Sequence, residues 1–391
     1  MMTESKNNAG TLSAFFYFKE PESIGISVII HTLSFIASHF PVTIYTNQAD
    51  FLQCQIPDVK IISVDHIKLS EIPVFGMLNY CRKIAKILDS DKSDAVFIGH
   101  NYAPIALWLT KTSFQYVYQV HEMLGLEKKS GLDKISQKLM EYIILKGIRA
   151  SKTSFVVSEP IIQYLKMHMN NNLYLTPHCV DLRRFSKPSF SVIHDVIRKK
   201  KEQGYFVVCY TGWVSEERGL RTMLESIYLS ITKDVKILFL VAGSDIQRSS
   251  EINNYFMERN IEKNLICLGK IEYNHIPGVI GLSDVCLSIL ENNPVYQMSP
   301  PQKVIEYMAS GKPVIANEIQ THAMLITDEH DGFLTENNPA MISDRILFLK
   351  MNPEIYEIMS KNALETASKF DTSQVYNEMK DVIYHVLDRS A

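Results

Sequence analysis

The sequence predicts an α/β protein built as two doubly wound halves, each a largely parallel sheet flanked by helices. Three observations carry that expectation. Apolar runs of four to nine residues alternate with longer segments of helical spacing along most of the chain, which is the pattern of repeated βα units. The chain has 391 residues, long for one domain and comfortable for two. A polar stretch with the basic run 198–201 interrupts the alternation midway, as a boundary between two such series would.

In the first series LSAFFYF (12–18), VTIYTN (42–47), DAVFIGH (94–100), FQYVYQVH (114–121), TSFVVS (153–158) and NLYLTP (172–177) read as strands, with helical spacing over 26–38 and 80–88. In the second series the strands are YFVVCYTG (205–212), VKILFLVAG (235–243), NLICLGK (264–270), DVCLSIL (284–290), KPVIAN (312–317) and GFLT (332–335). Helices fit between these at 220–229, 250–259, 301–310 and 339–349. The expected domains are therefore 1–190 and 204–371, joined through SKPSFSVIHDVIRKKKEQG (186–204). A final helical pattern over 372–391 lies beyond the second sheet and is free to pack back on the first half. Two such halves facing each other make a cleft at the carboxyl ends of both sheets, where ligands of open α/β sheets bind.

Composition removes several classes. Apolar residues make up 46% of the chain, enough for a core in each half. A net charge of −3 gives no global reason to expect nucleic acid. No apolar run reaches the length of a membrane-spanning helix, and the start, MMTESKNNAG, lacks the apolar stretch of a signal peptide. The six cysteines form no CxxC pair and read as reduced thiols. The expected location is the cytoplasm.

The informative residues lie where strands end. Gly212 permits a tight turn, and Arg218 with Gly219 precedes the helix expected near 220, which reads either as an anion site or as an ordinary strand–loop–helix connection with a solvated arginine. Gly243 ends the next strand and equally reads as a simple turn. In SPPQKVIEYMASGKPVIANE (299–318), Ser299 is a good N-cap, and the prolines suit a first helical turn. Gly311 and Pro313 mark the exit. Lys303 and Glu306 stand at i and i+3 on one face near the helix start. A lysine at a helix N-terminus can hold phosphate, and a glutamate one turn on can accept two hydrogen bonds from a ribose diol. That is the geometry of a nucleotide. The same pair also reads as a solvated ion pair.

Pro301, Lys303, Glu306, Tyr307, Met308, Ala309, Gly311, Pro313 and Val314 together give PxKxxEYMAxGxPV, which resembles the signature of family 4 glycosyltransferases. GWVSEERG resembles that family's donor-phosphate loop, and LGKIEYNHIPGVIGLSDVCL its base-binding stretch. LTPHCVDLRRF, YQVHEM and VVSE resemble its IPNGVD, YDxHE and VSE segments. The resemblance implies a GT-B fold of two Rossmann-like domains facing across a cleft. It also implies a retaining sugar transfer from a UDP- or GDP-linked donor without bound metal or other cofactor. Carried over, Glu306 binds ribose, Arg218 and Lys303 hold the diphosphate and stabilise the leaving group, and His121 faces the sugar. The implied donor site comprises Gly212, Arg218, Gly243, Tyr273, Ser299, Lys303 and Glu306; the implied catalytic residues are His121, Arg218 and Lys303. The chain departs from the pattern at several positions: Met298 stands where the family has a glutamate, Ser299, Pro300 and Pro301 where glycines often follow it, Trp213 where it has an arginine, and His178 and Cys179 where it has Asn-Gly.

The acceptor should lie on the first half. It is expected to be a lipid-linked sugar, a glycan or a small molecule, as in assembly of bacterial surface polysaccharide, glycolipid or glycosylated natural products. LEKKSGLDKISQKLMEYIILKGIRASK (126–152) is basic and amphipathic, and would suit either core packing or a peripheral contact at the inner face of the membrane. Two other functions fit the same architecture, a nucleotide-sugar 2-epimerase and a non-catalytic binding subunit. Met298 and Trp213 keep the latter open.

Overall fold

The computed structural model describes residues 10–16, 26–64, 73–99, 103–111, 113–121, 123 and 132–388. The chain divides into two compact units, Met1–Pro177 with Ser373–Ala391, and His178–Thr372.

The first unit holds a seven-stranded parallel sheet of β1 (Leu12–Phe16), β2 (Val42–Thr46), β3 (Lys60–Ser63), β4 (Ala95–Ile98), β5 (Tyr116–Val120), β6 (Thr153–Val156) and β7 (Leu173–Leu175). Its order is β3-β2-β1-β4-β5-β6-β7. Strands β1 and β5 are buried along their whole length, as expected of strands covered on both faces. The final helix, Thr372–Asp388, belongs mostly to this unit. Tyr376 lies in hydrogen-bond contact with Thr32, 2.9 Å away, and packs on Phe35. Met379, Ile383 and Leu387 are buried behind it at helical spacing.

The second unit holds a six-stranded parallel sheet of β8 (Phe206–Thr211), β9 (Ile237–Ala242), β10 (Leu265–Cys267), β11 (Val285–Ser288), β12 (Val314–Asn317) and β13 (Gly332–Thr335), ordered β10-β9-β8-β11-β12-β13. Alternate residues of β8 serve two cores. Val207 and Cys209 join one apolar cluster, Val208 and Tyr210 the other. The order reverses direction between β8 and β11, so the loops leaving their carboxyl ends splay apart and open a crevice.

The 186–204 stretch, expected as a linker, folds inside the second unit. It forms a 3-10 turn and the helix Asp195–Glu202, with Ile197 buried in the core. The division comes earlier, after Pro177, because the next residues are tied to the end of this unit. Val180 N–H donates to the Phe370 carbonyl (2.9 Å), and Thr372 N–H donates back to the Val180 carbonyl (3.0 Å).

Candidate functional site

The second unit gathers most of the singled-out residues at its switch point. After β8 the backbone turns at Gly212, φ +112, and after β9 at Gly243, φ +107. Gly212 N–H donates to the Ala242 carbonyl (2.9 Å) and Gly243 N–H to the Gly269 carbonyl (2.7 Å), so three strand ends lie side by side. A Cβ at Gly243 would stand 2.4 Å from the Gly212 carbonyl oxygen. Both backbone angle and space therefore demand glycine there. Beyond Gly212, the turn Glu216–Arg218 ends at Gly219, φ +71, which opens the helix Leu220–Lys233. Arg218 stands over the Tyr296 ring at 5.8 Å. Glu291 N–H donates to the Glu217 carbonyl (2.8 Å), joining the phosphate-loop candidate to the loop after β11.

The helix Gln302–Ala309 packs on β11 and β12 and reaches the end of β8 through its side chains. Its N-cap residue is Pro301, not Ser299 as expected. The reason is chemical. An N-cap hydroxyl accepts from an N–H two or three residues on; two residues beyond Ser299 stands Pro301, which has none, and helical geometry begins only at Gln302, one residue after Pro301. Ser299 Oγ is instead buried without a hydrogen-bond partner. Tyr307 ties the helix to the sheet, its hydroxyl accepting from Thr211 N–H (2.8 Å).

Lys303 and Glu306 do not form a solvated pair; their exposures are 7% and 6%. Lys303 Nζ sits 3.8 Å from the centre of the Tyr210 ring and has no hydrogen-bond acceptor. A Cβ placed on Gly212 would lie 3.5 Å from it, so the ammonium faces the glycine turn. Burial, then the neighbouring Arg218 charge, hold the Lys303 ammonium well below the ordinary lysine range. Burial raises the Glu306 carboxyl above the usual range; a hydrogen bond from Tyr273 and the charges of Arg184 and Lys303 oppose that shift. Tyr273 Oη donates to Glu306 Oε1 at 2.9 Å. A buried cation without an acceptor, beside a second cation and a buried carboxylate, can receive an anion joined to a hydroxyl-bearing group.

Gly212, Arg218, Gly243, Lys303, Glu306 and Tyr273 thus lie on adjoining elements of the second unit. His121 directly follows β5 in the first unit. Glu122 and residues 124–131, part of the basic amphipathic stretch, lie outside the described residues. Three members of the site carried no local signal, Tyr210 beneath Lys303, Tyr296 beneath Arg218, and Arg184 over Tyr273. Among the described residues no group of three or more His, Cys, Asp or Glu could hold a metal ion, and no helix is long and apolar enough to cross a membrane.

Two parallel-sheet Rossmann-like units make up the GT-B fold. Residues 194–366, within the second unit, match the family model of glycosyl transferases group 1. The chain is similar to an uncharacterized glycosyltransferase of Methanocaldococcus jannaschii, 24% identical over 251 residues, 61% of this chain and 64% of that protein. It is also similar to the UDP-Gal:alpha-D-GlcNAc-diphosphoundecaprenol alpha-1,3-galactosyltransferase of Escherichia coli, 27% identical over 146 residues, 37% of this chain and 36% of the other. Both matches span less than two thirds of the relative's length. Among solved structures, Anabaena Alr3699/HepE in complex with UDP and glucose superposes with a TM-score of 0.75 at 14% identity, covering 96% of this chain and 100% of that one.

Proposed function

We propose that the protein is a retaining glycosyltransferase that moves a sugar from a nucleoside diphosphate sugar to an acceptor hydroxyl. The observation that carries this reading is Lys303, a buried ammonium with no acceptor of its own, beside Arg218 and at the start of a helix. As the sugar–phosphate bond breaks, negative charge grows on the departing diphosphate. Two fixed cations and the first amides of the helix stabilise that charge more than they stabilise the bound donor. Glu306 holds the ribose diol. His121 is assigned to a hydroxyl of the transferred sugar or to part of the positive charge that the sugar develops. The proposed chemistry needs no metal. UDP is the favoured carrier, since the Escherichia coli relative is named for a UDP-linked donor and the Anabaena structure holds UDP.

The acceptor is placed on the first unit and the protein in the cytoplasm, working in polysaccharide, glycolipid or glycosylated natural-product assembly. The helix Leu132–Ala150 exposes Leu139 and Tyr142, and its Lys146 stands over the rings of Trp108 and Tyr142. That mixture suits a peripheral contact with anionic lipid.

A thermal-shift screen of UDP, GDP, ADP and their sugar conjugates tests the donor site, repeated on Glu306→Ala. A ligand that binds only the folded state raises the melting temperature. The expected result is stabilisation by one base family, UDP first, lost in the variant. A wild type unmoved by every nucleotide at millimolar concentration would overturn the reading.

A further inference from the structure

The Glu306 carboxylate is held by residues other than Arg218 and Lys303, the pair proposed to hold the diphosphate. Tyr273 Oη donates to Glu306 Oε1 at 2.9 Å. The Arg184 guanidinium lies 4.5 Å from the centre of the Tyr273 ring and donates through Nη2 to the Asn274 side chain. Arg184 belongs to the helix Leu182–Ser186, whose N-cap Asp181 accepts from Arg183 N–H. This short helix packs on both Ile276–Gly281 and Gln302–Ala309. One turn before Glu306, Gln302 Nε2 donates to the Cys179 carbonyl at 2.8 Å. The segment 179–184 is therefore stitched to the Glu306 helix at one end and to the Tyr273 loop at the other.

We propose that Tyr273 and Arg184 are positioning residues for the ribose-binding carboxylate, with Tyr273 fixing one oxygen of Glu306 and Arg184 fixing Tyr273. The proposal rests on the donor-site reading above. A carboxylate offers about four lone-pair sites. One bond from Tyr273 sets the plane of the group and leaves Oε2, with the second lone pair of Oε1, for the two hydroxyls of a vicinal diol. An unclamped carboxylate would have to be ordered at the moment of binding, which weakens affinity. The Arg184 charge also favours the ionised form that a diol needs, against the burial that disfavours it. Tyr273 thus acts on the donor through Glu306, and its ring is covered by Arg184 on one face.

The test compares UDP with 2′,3′-dideoxy-UDP, which lacks the diol, by isothermal titration calorimetry. GDP and ADP with their dideoxy forms are used if either binds more tightly. The proteins are the wild type, Tyr273→Phe, Arg184→Met, Arg184→Lys, Glu306→Gln and the double variant Tyr273→Phe/Glu306→Gln. Tyr273→Phe keeps the ring under Arg184 and removes only the hydroxyl. It should weaken UDP about tenfold, the size of one hydrogen bond to a charged group, and leave the dideoxy nucleotide unchanged. The double variant should bind UDP no more weakly than Glu306→Gln alone. Arg184→Met should show the same selective loss, and Arg184→Lys should recover part of it. Equal weakening of UDP and dideoxy-UDP by Tyr273→Phe, or no weakening, would overturn the proposal while leaving the donor site intact. A wild type that binds none of the three nucleotides would overturn the donor-site reading and this inference together.

Discussion

Lys303 keeps its ammonium above the Tyr210 ring, with Arg218 acting on it and no acceptor in reach. Such a group destabilises the free protein, because burial removes hydration that no partner replaces. Lys303→Met should therefore raise the melting temperature of the free protein by the equivalent of about 1 kcal/mol or more. The same variant should lower turnover about a hundredfold and shrink the shift produced by UDP. Melting curves with and without UDP, beside an activity assay, check all three. A variant less stable than wild type would mean the ammonium already has its partner. The depressed Lys303 value carries a second consequence. A bound diphosphate raises that value again, so the bound site keeps a proton that the free site loses as pH climbs. Donor binding should take up protons, and affinity should fall as pH rises through the depressed value. Titrations in buffers of different ionisation enthalpy measure the uptake, which should vanish in Lys303→Met. In the free protein the sign is opposite. Between the depressed value and the ordinary lysine range the unfolded chain binds more protons, so stability rises with pH there.

At the scale of elements, the site is two strand ends and one helix locked in register. Tyr307 fastens the helix Gln302–Ala309 to the end of β8 by accepting from the buried Thr211 N–H. Tyr307→Phe leaves that donor without its partner and should cost about 1–3 kcal/mol, read as a lower denaturation midpoint with an unchanged m-value. The glycine turns after β8 and β9 are less forgiving. Gly243→Ala would drive a methyl group to 2.4 Å from the Gly212 carbonyl oxygen, at a φ of +107. Since that contact is with backbone, the strand ends must part. The variant should lose UDP binding together with thermal stability, and full nucleotide affinity in Gly243→Ala would show that the two turns move independently.

At the scale of the molecule, each unit has its own sheet and its own core. Calorimetry should resolve two transitions, since such chains depart from two-state unfolding. Tyr376, on the last helix, is buried against Phe35 and bonded to Thr32 in the first unit. Tyr376→Ala should lower the transition of that unit by about 3 kcal/mol or more in stability. UDP should raise only the other. A single transition moved by both would show that the cores unfold as one.

The sequence by itself determined the α/β class, twelve of the thirteen strands among the described residues, the strand-end positions of Gly212, Arg218 and Gly243, and the place of Lys303 and Glu306 in the first turns of a helix. These features have local causes, namely a two- or 3.6-residue period, a proline that cannot continue a helix, and a glycine where φ is positive. Strand β3 leaves no clear signal in the sequence because its pattern is half exposed, without a continuous apolar run. Tertiary structure alone decided the rest. The unit boundary depends on pairing between segments around residues 180 and 371, which include a hydrogen bond spanning 189 residues, while the basic run at 198–201 mimics a linker but lies in a helix of the second unit, with Lys201 paired to Asp284 and Lys200 donating to the Lys263 carbonyl. The arginine clamping the Tyr273 loop stands 90 residues before its partner Asn274. Contacts of that range leave no period and no motif in the chain, because what selects them is the meeting of surfaces once the strands have paired.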